Sequence, residues 1–378
     1  MPGHLDRRTF LRRAAAAAGW SLAVPLFAAC APTPPPAKPA ETKPVDTKPP
    51  APPPAASPPP GASPSPAAAA PAVSKINKLA YGIVSYNPYH IAVIVGAEKP
   101  EMLAKHGVEL DIVITGSGPN AVAAMVGGSL NMTTAAAEAA WQAQDREPDV
   151  KQIIAVANGT PYSLLVNPDI KKIADLKGKA LGSSAIRGGA DTTAMRALLF
   201  ENGLKDGDYD IVVVGSVAER TAAMKAGTVM AVAQQEPQTT QMKDAGFVEL
   251  DNCDNYPALA AVHSVVVIAR KSWYEPNMEI AVGLVRGWIE ITKWIYDPKN
   301  RDELVNIMVK TLKVEQKAAN NAYEYWFLKS KTPPPIPLID MKRMEATADV
   351  QRKIGTPNVP TDPAKYVDNR IVERAMSS

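Results

Sequence analysis

The chain has 378 residues, 46% hydrophobic and 21% charged, with 36 prolines and a formal net charge of +3. That whole excess sits in residues 1–29, where Arg7, Arg8, Arg12 and Arg13 face only Asp6, so the remainder is balanced and lacks the basic block that nucleic-acid binding requires. Past the first thirty positions no apolar run is long enough to cross a bilayer, which excludes a polytopic membrane protein.

Residues 1–29 read as an address. The run Asp6-Arg7-Arg8-Thr9-Phe10-Leu11-Arg12 resembles a twin-arginine export signal. An apolar stretch from Ala14 to Ala29 follows and ends in Leu26-Phe27-Ala28-Ala29-Cys30, which resembles a bacterial lipoprotein cleavage site, with Phe27 where such sites usually carry Leu. The resemblance implies that Cys30 becomes a lipidated N-terminus. From Ala31 to Val73 the chain holds 17 prolines, 12 alanines and no aromatic residue, so it builds no core. Its proline pairs and triplets favour extended polyproline, and residues 30–74 are expected to form a tether reaching roughly 100 Å at about 3 Å per residue. The other cysteine, Cys253, then has no intramolecular partner and reads as a small packed residue.

From Lys78 onward short apolar runs alternate with helical patterns. Leu79–Val84 is followed by Ile91–Lys105, Glu109–Ile114 by Pro119–Val126, Ala180–Ser183 by Asp191–Glu201, and Ile211–Val214 by Ala218–Ala226. Strands separated by helices predict an α/β fold of mainly parallel sheets with right-handed crossovers. Two further strand-like runs, Tyr162–Asn167 and Val262–Arg270, bracket a block with its own βαβ alternation. One domain carried inside another is therefore expected: a first lobe of residues 75–166 plus 262–378, and a second of residues 167–261, joined by two crossing strands. A cleft between such lobes is a usual place for a small-molecule site. Beyond Pro276 the pattern turns helical, with Ile280, Leu284, Trp288, Ile291 and Ile295 on one stripe, which makes Trp288 a packing residue.

Two loops join strands to helices. Gly116-Ser117-Gly118-Pro119-Asn120 places free backbone N–H groups and a helix dipole above the strand ends, either for a tight turn or for a ligand. It has no Lys after the glycines, so it is not a nucleotide-phosphate loop. Its counterpart runs from Ser183 to Thr193. There Arg187 is a surface charge or a partner for a carboxylate or sulfonate, and Asp191 or Thr192 is a helix cap or a cleft residue. After removal of the signal only His90, His106 and His263 remain, and no H-E-x-x-H, C-x-x-C or G-x-S-x-G occurs. No catalytic residue, metal or cofactor is expected.

The segments Tyr81-Gly82-Ile83 with Tyr86-Asn87-Pro88-Tyr89, Lys105 to Leu110, Gly116 to Gly118 and Ala121 to Leu130 resemble the opening of the nitrate/sulfonate/taurine-type solute-binding proteins of ABC importers. Ile173 to Lys179 and Met224 to Val232, closing on Glu236-Pro237, are similar to that family's second-lobe pattern. The resemblance covers about residues 78–270 and implies a type II periplasmic-binding-protein fold that closes on a solute and delivers it to a permease and its ATPase. It implies a monomer outside the cytoplasm, held to the membrane only by the lipid on Cys30. It places ligand contacts at Tyr86, Asn87 and His90 after the first strand, at Ser117 and Asn120 after the second, and at Thr133 and Thr134 after the third. In the second lobe it implies Arg187, Gly188, Gly189, Asp191 and Thr192, with Gln234 and Glu236 near the lobe junction. Since Asp191 and Glu236 repel an anion, Arg187 is the expected anion partner, and Arg187→Ala is expected to lower anion affinity. The same closure also suits a sensory or adaptor lipoprotein. An enzyme of pyrimidine-precursor metabolism suits the fold but lacks here the cysteine-rich segment of such enzymes.

Overall fold

The computed structural model describes residues 76–377; the export signal, Cys30 and the tether lie outside the described residues. The chain opens with β1 (Asn77–Ile83), whose Leu79, Tyr81 and Ile83 are buried. A 3-10 turn and helix α1 (Ile91–Glu98) lead on to β2 (Val108–Ile114), which pairs parallel with β1 from Asn77 beside Val108 to Ile83 beside Ile114. The sequence predicted one helix from Ile91 to Lys105. Instead α1 stops before Pro100 and a short turn of helix resumes at Glu101, because proline offers no N–H and holds the preceding Lys99 out of the helical region (φ −129°, ψ 65°).

Helix α2 (Gly118–Val126), β3 (Met132–Ala136), α3 (Ala137–Arg146) and β4 (Val150–Asn158) complete the outgoing half of the first lobe. The chain then crosses over and forms β5 (Ser163–Val166), β6 (Ala180–Ser183), α4 (Ala190–Glu201), β7 (Asp210–Val213), α5 (Val217–Lys225), β8 (Ala231–Gln234), α6 (Gln238–Asp244) and β9 (Val248–Asn252). It returns through β10 (His263–Arg270). Two five-stranded sheets result, in the orders β2-β1-β3-β10-β4 and β7-β6-β8-β5-β9. In each, only the strand next to the edge, β10 or β5, runs against the others. Because β5 pairs with β8 and β9, the first crossing falls at residues 159–162, earlier than the 166/167 boundary read from the sequence.

The C-terminal part is helical: α7 (Met278–Tyr296), α8 (Arg301–Leu312), α9 (Gln316–Tyr323), a π-helical turn (Glu324–Lys329), α10 (Met341–Lys353) and α11 (Arg370–Met376). Of the predicted stripe of α7, Leu284, Trp288, Ile291 and Ile295 are buried and Ile280 is half-buried, and Trp288 packs 6.4 Å from the Tyr81 ring. This segment, expected to belong to the first lobe, also reaches the second. Asn321 Nδ2 donates to Thr240 Oγ1 at 3.0 Å, Trp326 Nε1 donates to the Glu236 carbonyl at 3.0 Å, and Arg196 donates to the Ile354 carbonyl at 2.7 Å. The helices thus bridge both sheets on the side where the chain crosses. Among the described residues no helix is long and apolar enough to span a membrane.

Candidate functional site

The loops at the carboxyl ends of the strands from both sheets enclose a cavity of about 80 Å³. The lobes meet over it at two glycines, where a Cβ on Gly118 would lie 3.3 Å from the Gly188 carbonyl oxygen. The first residues of α2, α4 and α5 all line it, so three positive helix ends converge on one small volume.

From the first lobe, β1 leads through Val84 and Ser85 to Asn87, whose Oδ1 accepts from Tyr89 N–H at 3.0 Å and caps the 3-10 turn Pro88–His90. That turn returns the His90 ring to the sheet, with Nδ1 3.0 Å from the Ser85 carbonyl and Nε2 2.8 Å from Thr134 Oγ1. A carbonyl only accepts, so Nδ1 carries the proton and Nε2 accepts from the Thr134 hydroxyl. Burial pushes the His90 pKa down to about 4, and the ring is neutral. Tyr89 and Tyr162 add an aromatic wall, their rings 6.0 Å apart, and Tyr89 meets the edge of Trp326 at 5.0 Å.

The second lobe supplies the charge. Gly215 (φ +97°) turns the chain after β7, and a side chain there would collide with the Glu219 carboxylate. Ser216 and Glu219 then form a capping box in which Ser216 Oγ accepts from Glu219 N–H and the Glu219 carboxylate accepts from Ser216 N–H. Arg220, one turn into α5 and 4% exposed, reaches back: NH1 donates to the Gly215 carbonyl at 2.7 Å and lies 3.4 Å from Asp191, and NH2 contacts Gln234 Oε1 at 3.4 Å. Its Nε has no hydrogen-bond partner among the described residues. Asp191, also buried, accepts from Ser183 Oγ at 2.9 Å, Ser184 N–H at 2.8 Å and Ser184 Oγ. The carboxylate is therefore fully engaged by its own lobe, and the guanidinium is not.

Of the residues singled out from the sequence, Asn87, His90, Thr134, Gly188, Gly189, Asp191 and Gln234 line the cavity. The others stand elsewhere. Tyr86 is 42% exposed, outside the cavity lining. Ser117 caps α2 through Asn120 N–H, and Asn120 donates to the Thr115 carbonyl. Thr133 and Thr134 lie within β3 and not after it. Side chains alternate along a strand, so Thr133 bonds the Gly82 carbonyl inside the sheet while Thr134 faces the cavity. Thr192 donates to the Ala185 carbonyl, and Glu236 accepts from Thr240. Arg187 is the main correction: it is not among the residues lining the cavity and pairs with Asp206 at 2.7 Å, a carboxylate that also holds Arg196.

Sequence reading missed Ser85, Tyr89, Tyr162, Ser216, Arg220 and Gln235 as cavity residues. For Arg220 a signal existed: Ser216-x-x-Glu219 after a strand marks a helix start at a strand end, where the next residue sits beside the site. Cys253 is buried, is not among the residues lining the cavity, and burial pushes its thiol well up, which suits packing and not nucleophilic attack. Among the described residues no His/Cys/Asp/Glu group is arranged to hold a metal.

A family model described as NMT1/THI5 like matches residues 87–299. No curated protein sequence matches the chain. Solved structures with the same fold include the periplasmic nitrate-binding protein of Synechocystis PCC 6803, 16% identical, with a TM-score of 0.65 over 80% of this chain and 89% of that one. The alkanesulfonate-binding protein of Xanthomonas axonopodis pv. citri, bound to MOPS, is 16% identical with a TM-score of 0.61 over 80% and 97%. A desulfurization enzyme is 14% identical with a TM-score of 0.55 over 80% and 99%. At these identities the likeness establishes the two-lobed, type II periplasmic-binding-protein architecture.

Proposed function

We propose, for a chain that belongs to the NMT1/THI5-like family, the role of an extracytoplasmic solute-binding protein that traps a small monoanion between its lobes. The observation that carries this reading is Arg220, a buried cation lining the cavity with an unpartnered Nε donor, framed by the first residues of three helices. An arginine in such a place is suited to an oxyanion, carboxylate or sulfonate, by charge-assisted and planar hydrogen bonds. Its neighbour Asp191 already offsets part of its charge, which favours one negative charge on the solute over two. The nitrate-binding and alkanesulfonate-binding proteins that share the fold support the same class.

Ligand-driven closure is the working step. Shifting lobes from mostly open to mostly closed takes a preference of about 5.5 kcal/mol for the closed state, the scale of a few charge-assisted hydrogen bonds at roughly 1.5–3 kcal/mol each. Delivery to a membrane permease and its ATPase, a monomeric state and anchoring through Cys30 complete the proposal.

Calorimetric titration of the full chain with nitrate, short sulfonates, short carboxylates and pyrimidines tests the reading. An anion is expected to bind and Arg220→Ala to weaken it at least 100-fold. Binding of neutral pyrimidines alone, or an anion affinity that ignores Arg220→Ala, overturns it.

A further inference from the structure

Two arginines of the second lobe carry donors that the interlobe cavity does not use. Arg187, in the loop between β6 and α4, and Arg196, on α4, both reach Asp206 in the turn before β7. Arg196, 2% exposed, gives its Nε and NH2 to the two oxygens of that carboxylate at 2.9 and 2.6 Å, and NH2 also donates to the Ile354 carbonyl at 2.7 Å. Arg187 gives NH2 to Asp206 at 2.7 Å, and the Tyr209 hydroxyl donates to the same carboxylate at 3.3 Å. NH1 of each arginine is buried and has no hydrogen-bond partner among the described residues. Buried polar groups are nearly always paired and a guanidinium only donates, so each NH1 calls for an acceptor.

The two arginines and Asp206 line an open hollow of about 160 Å³, twice the volume of the interlobe cavity, with Ile186, Tyr209 and Ile211 among its other walls. Neither arginine lines the cavity itself. The charge differs as well. At the cavity Asp191 balances Arg220 one for one, whereas here two guanidiniums share one carboxylate and a positive charge is left over. Two cations held on one carboxylate repel each other, and an anion beside both relieves that repulsion. An ion with four oxygens accepts from several N–H groups at once, which suits the planar fork of a guanidinium. We propose that the second lobe carries a peripheral site for a tetrahedral oxyanion, sulfate or phosphate, held by NH1 of Arg187 and NH1 of Arg196 and separate from the interlobe cavity. The ion ties together the loop after β6, helix α4 and the turn before β7.

The test is calorimetry of the full chain with inorganic sulfate and with inorganic phosphate at fixed ionic strength, beside urea midpoints in the same salts. At least one of the two ions is expected to bind the wild type, and the tighter one identifies the occupant. Arg187→Ala is expected to weaken it at least about tenfold through the loss of a charge-assisted hydrogen bond. Arg196→Lys, which keeps the charge and lacks a second terminal nitrogen, is expected to weaken it too. Arg220→Ala should leave it within about twofold, as should Arg187→Ala for nitrate in the cavity, since the two sites share no residue. Sulfate and phosphate also stabilise proteins by exclusion from the surface, so the rise in urea midpoint with the ion must be smaller in Arg187→Ala than in the wild type. Should Arg196→Lys or Arg220→Ala fail to fold, Arg187→Ala, whose side chain is about one-third exposed, decides alone. No binding of either ion, binding lost in Arg220→Ala and kept in Arg187→Ala, or an equal rise in urea midpoint in wild type and Arg187→Ala overturns the site.

Discussion

The two lobes are built on one plan and do different chemistry. Each sheet has the same order, with one reversed strand next to the edge, and each delivers helix N-termini to the cleft from the ends of its parallel strands. Yet both buried charges at the cavity, Arg220 and Asp191, come from the second lobe. The first contributes a neutral imidazole, a hydroxyl and the Tyr89 ring. A shared scaffold therefore dictates where a site falls and not what it recognises. The division also suggests an order of events, in which an anion meets the second lobe first and the neutral first lobe closes over it.

The largest effect belongs to the charged lobe. Arg220→Ala removes the cation beside the buried Asp191 and leaves that carboxylate without its ion pair, a loss of about 3–5 kcal/mol in stability as well as the anion site. Urea denaturation and calorimetry of one variant measure both. A near-wild-type result in either would erase the contrast between the lobes.

Acid should act on the other lobe. His90 and His263 are both held neutral by burial, with pKa values pushed from 6.5 to about 4, and His263 Nε2 accepts from Asp340 N–H. Between pH 6.5 and 4 the unfolded chain takes up protons that the folded chain refuses. Stability from these groups is thus complete above pH 6.5 and falls as pH drops toward 4, by roughly 3 kcal/mol for each, at 1.36 kcal/mol per unit. Residues 167–261 contain no histidine. Urea midpoints at pH 4.5 and 7.5 should differ for the wild type and differ less for His90→Gln and His263→Gln. Hydrogen exchange at pH 4.5 should open the first sheet before the second.

How much of this was legible in the sequence follows from the range of the forces involved. The alternation of β1 with α1, or of β6 with α4, is a local pattern, and it predicted the α/β class and the nested lobe. The stripe on α7 was equally local, and Trp288 packs as the period requires. Helix ends set by Pro100 were local too, but the apolar periodicity ran on to Lys105 and outweighed the proline in the reading. The choice between Arg187 and Arg220 was not local. Arg187 stands in a glycine-rich loop that looks like a ligand loop, and its partner Asp206 lies beyond α4, on the loop before β7. Arg220 looks like an ordinary exposed charge on a helix until α5 is laid against β8 and Asp191. Tyr162 and Ser85 were similarly invisible, since each enters the cavity through a crossing or a turn whose direction only the folded sheets determine.

Closure itself can be made to fail without altering either set of ligand groups. A Cβ on Gly118 would already lie 3.3 Å from the Gly188 carbonyl, so the branched side chain of Gly118→Val must hold the lobes apart. Anion affinity is expected to fall about tenfold through a smaller closed fraction, with the urea midpoint little changed because the seam carries no core residue. Small-angle scattering with saturating anion should show a larger radius of gyration than the wild type. An identical radius would mean that the glycines are not the point where the lobes meet.

The smallest effect should come from the residue that the sequence favoured. Arg187 shares Asp206 with Arg196, whose Nε and NH2 both donate to that carboxylate, so Asp206 keeps its main partner when Arg187 is lost. The Arg187 side chain is about one-third exposed, and ion pairs of that kind contribute roughly 0–1 kcal/mol. Arg187→Ala should therefore shift the urea midpoint slightly and change anion affinity less than about twofold. Measured beside Arg220→Ala under the same conditions, it separates two arginines of one lobe that carry the same charge and differ only in what surrounds them. If Arg187→Ala instead abolished binding, charge recognition would lie on the rim, and the buried pair of Arg220 and Asp191 would be a structural element of the second lobe.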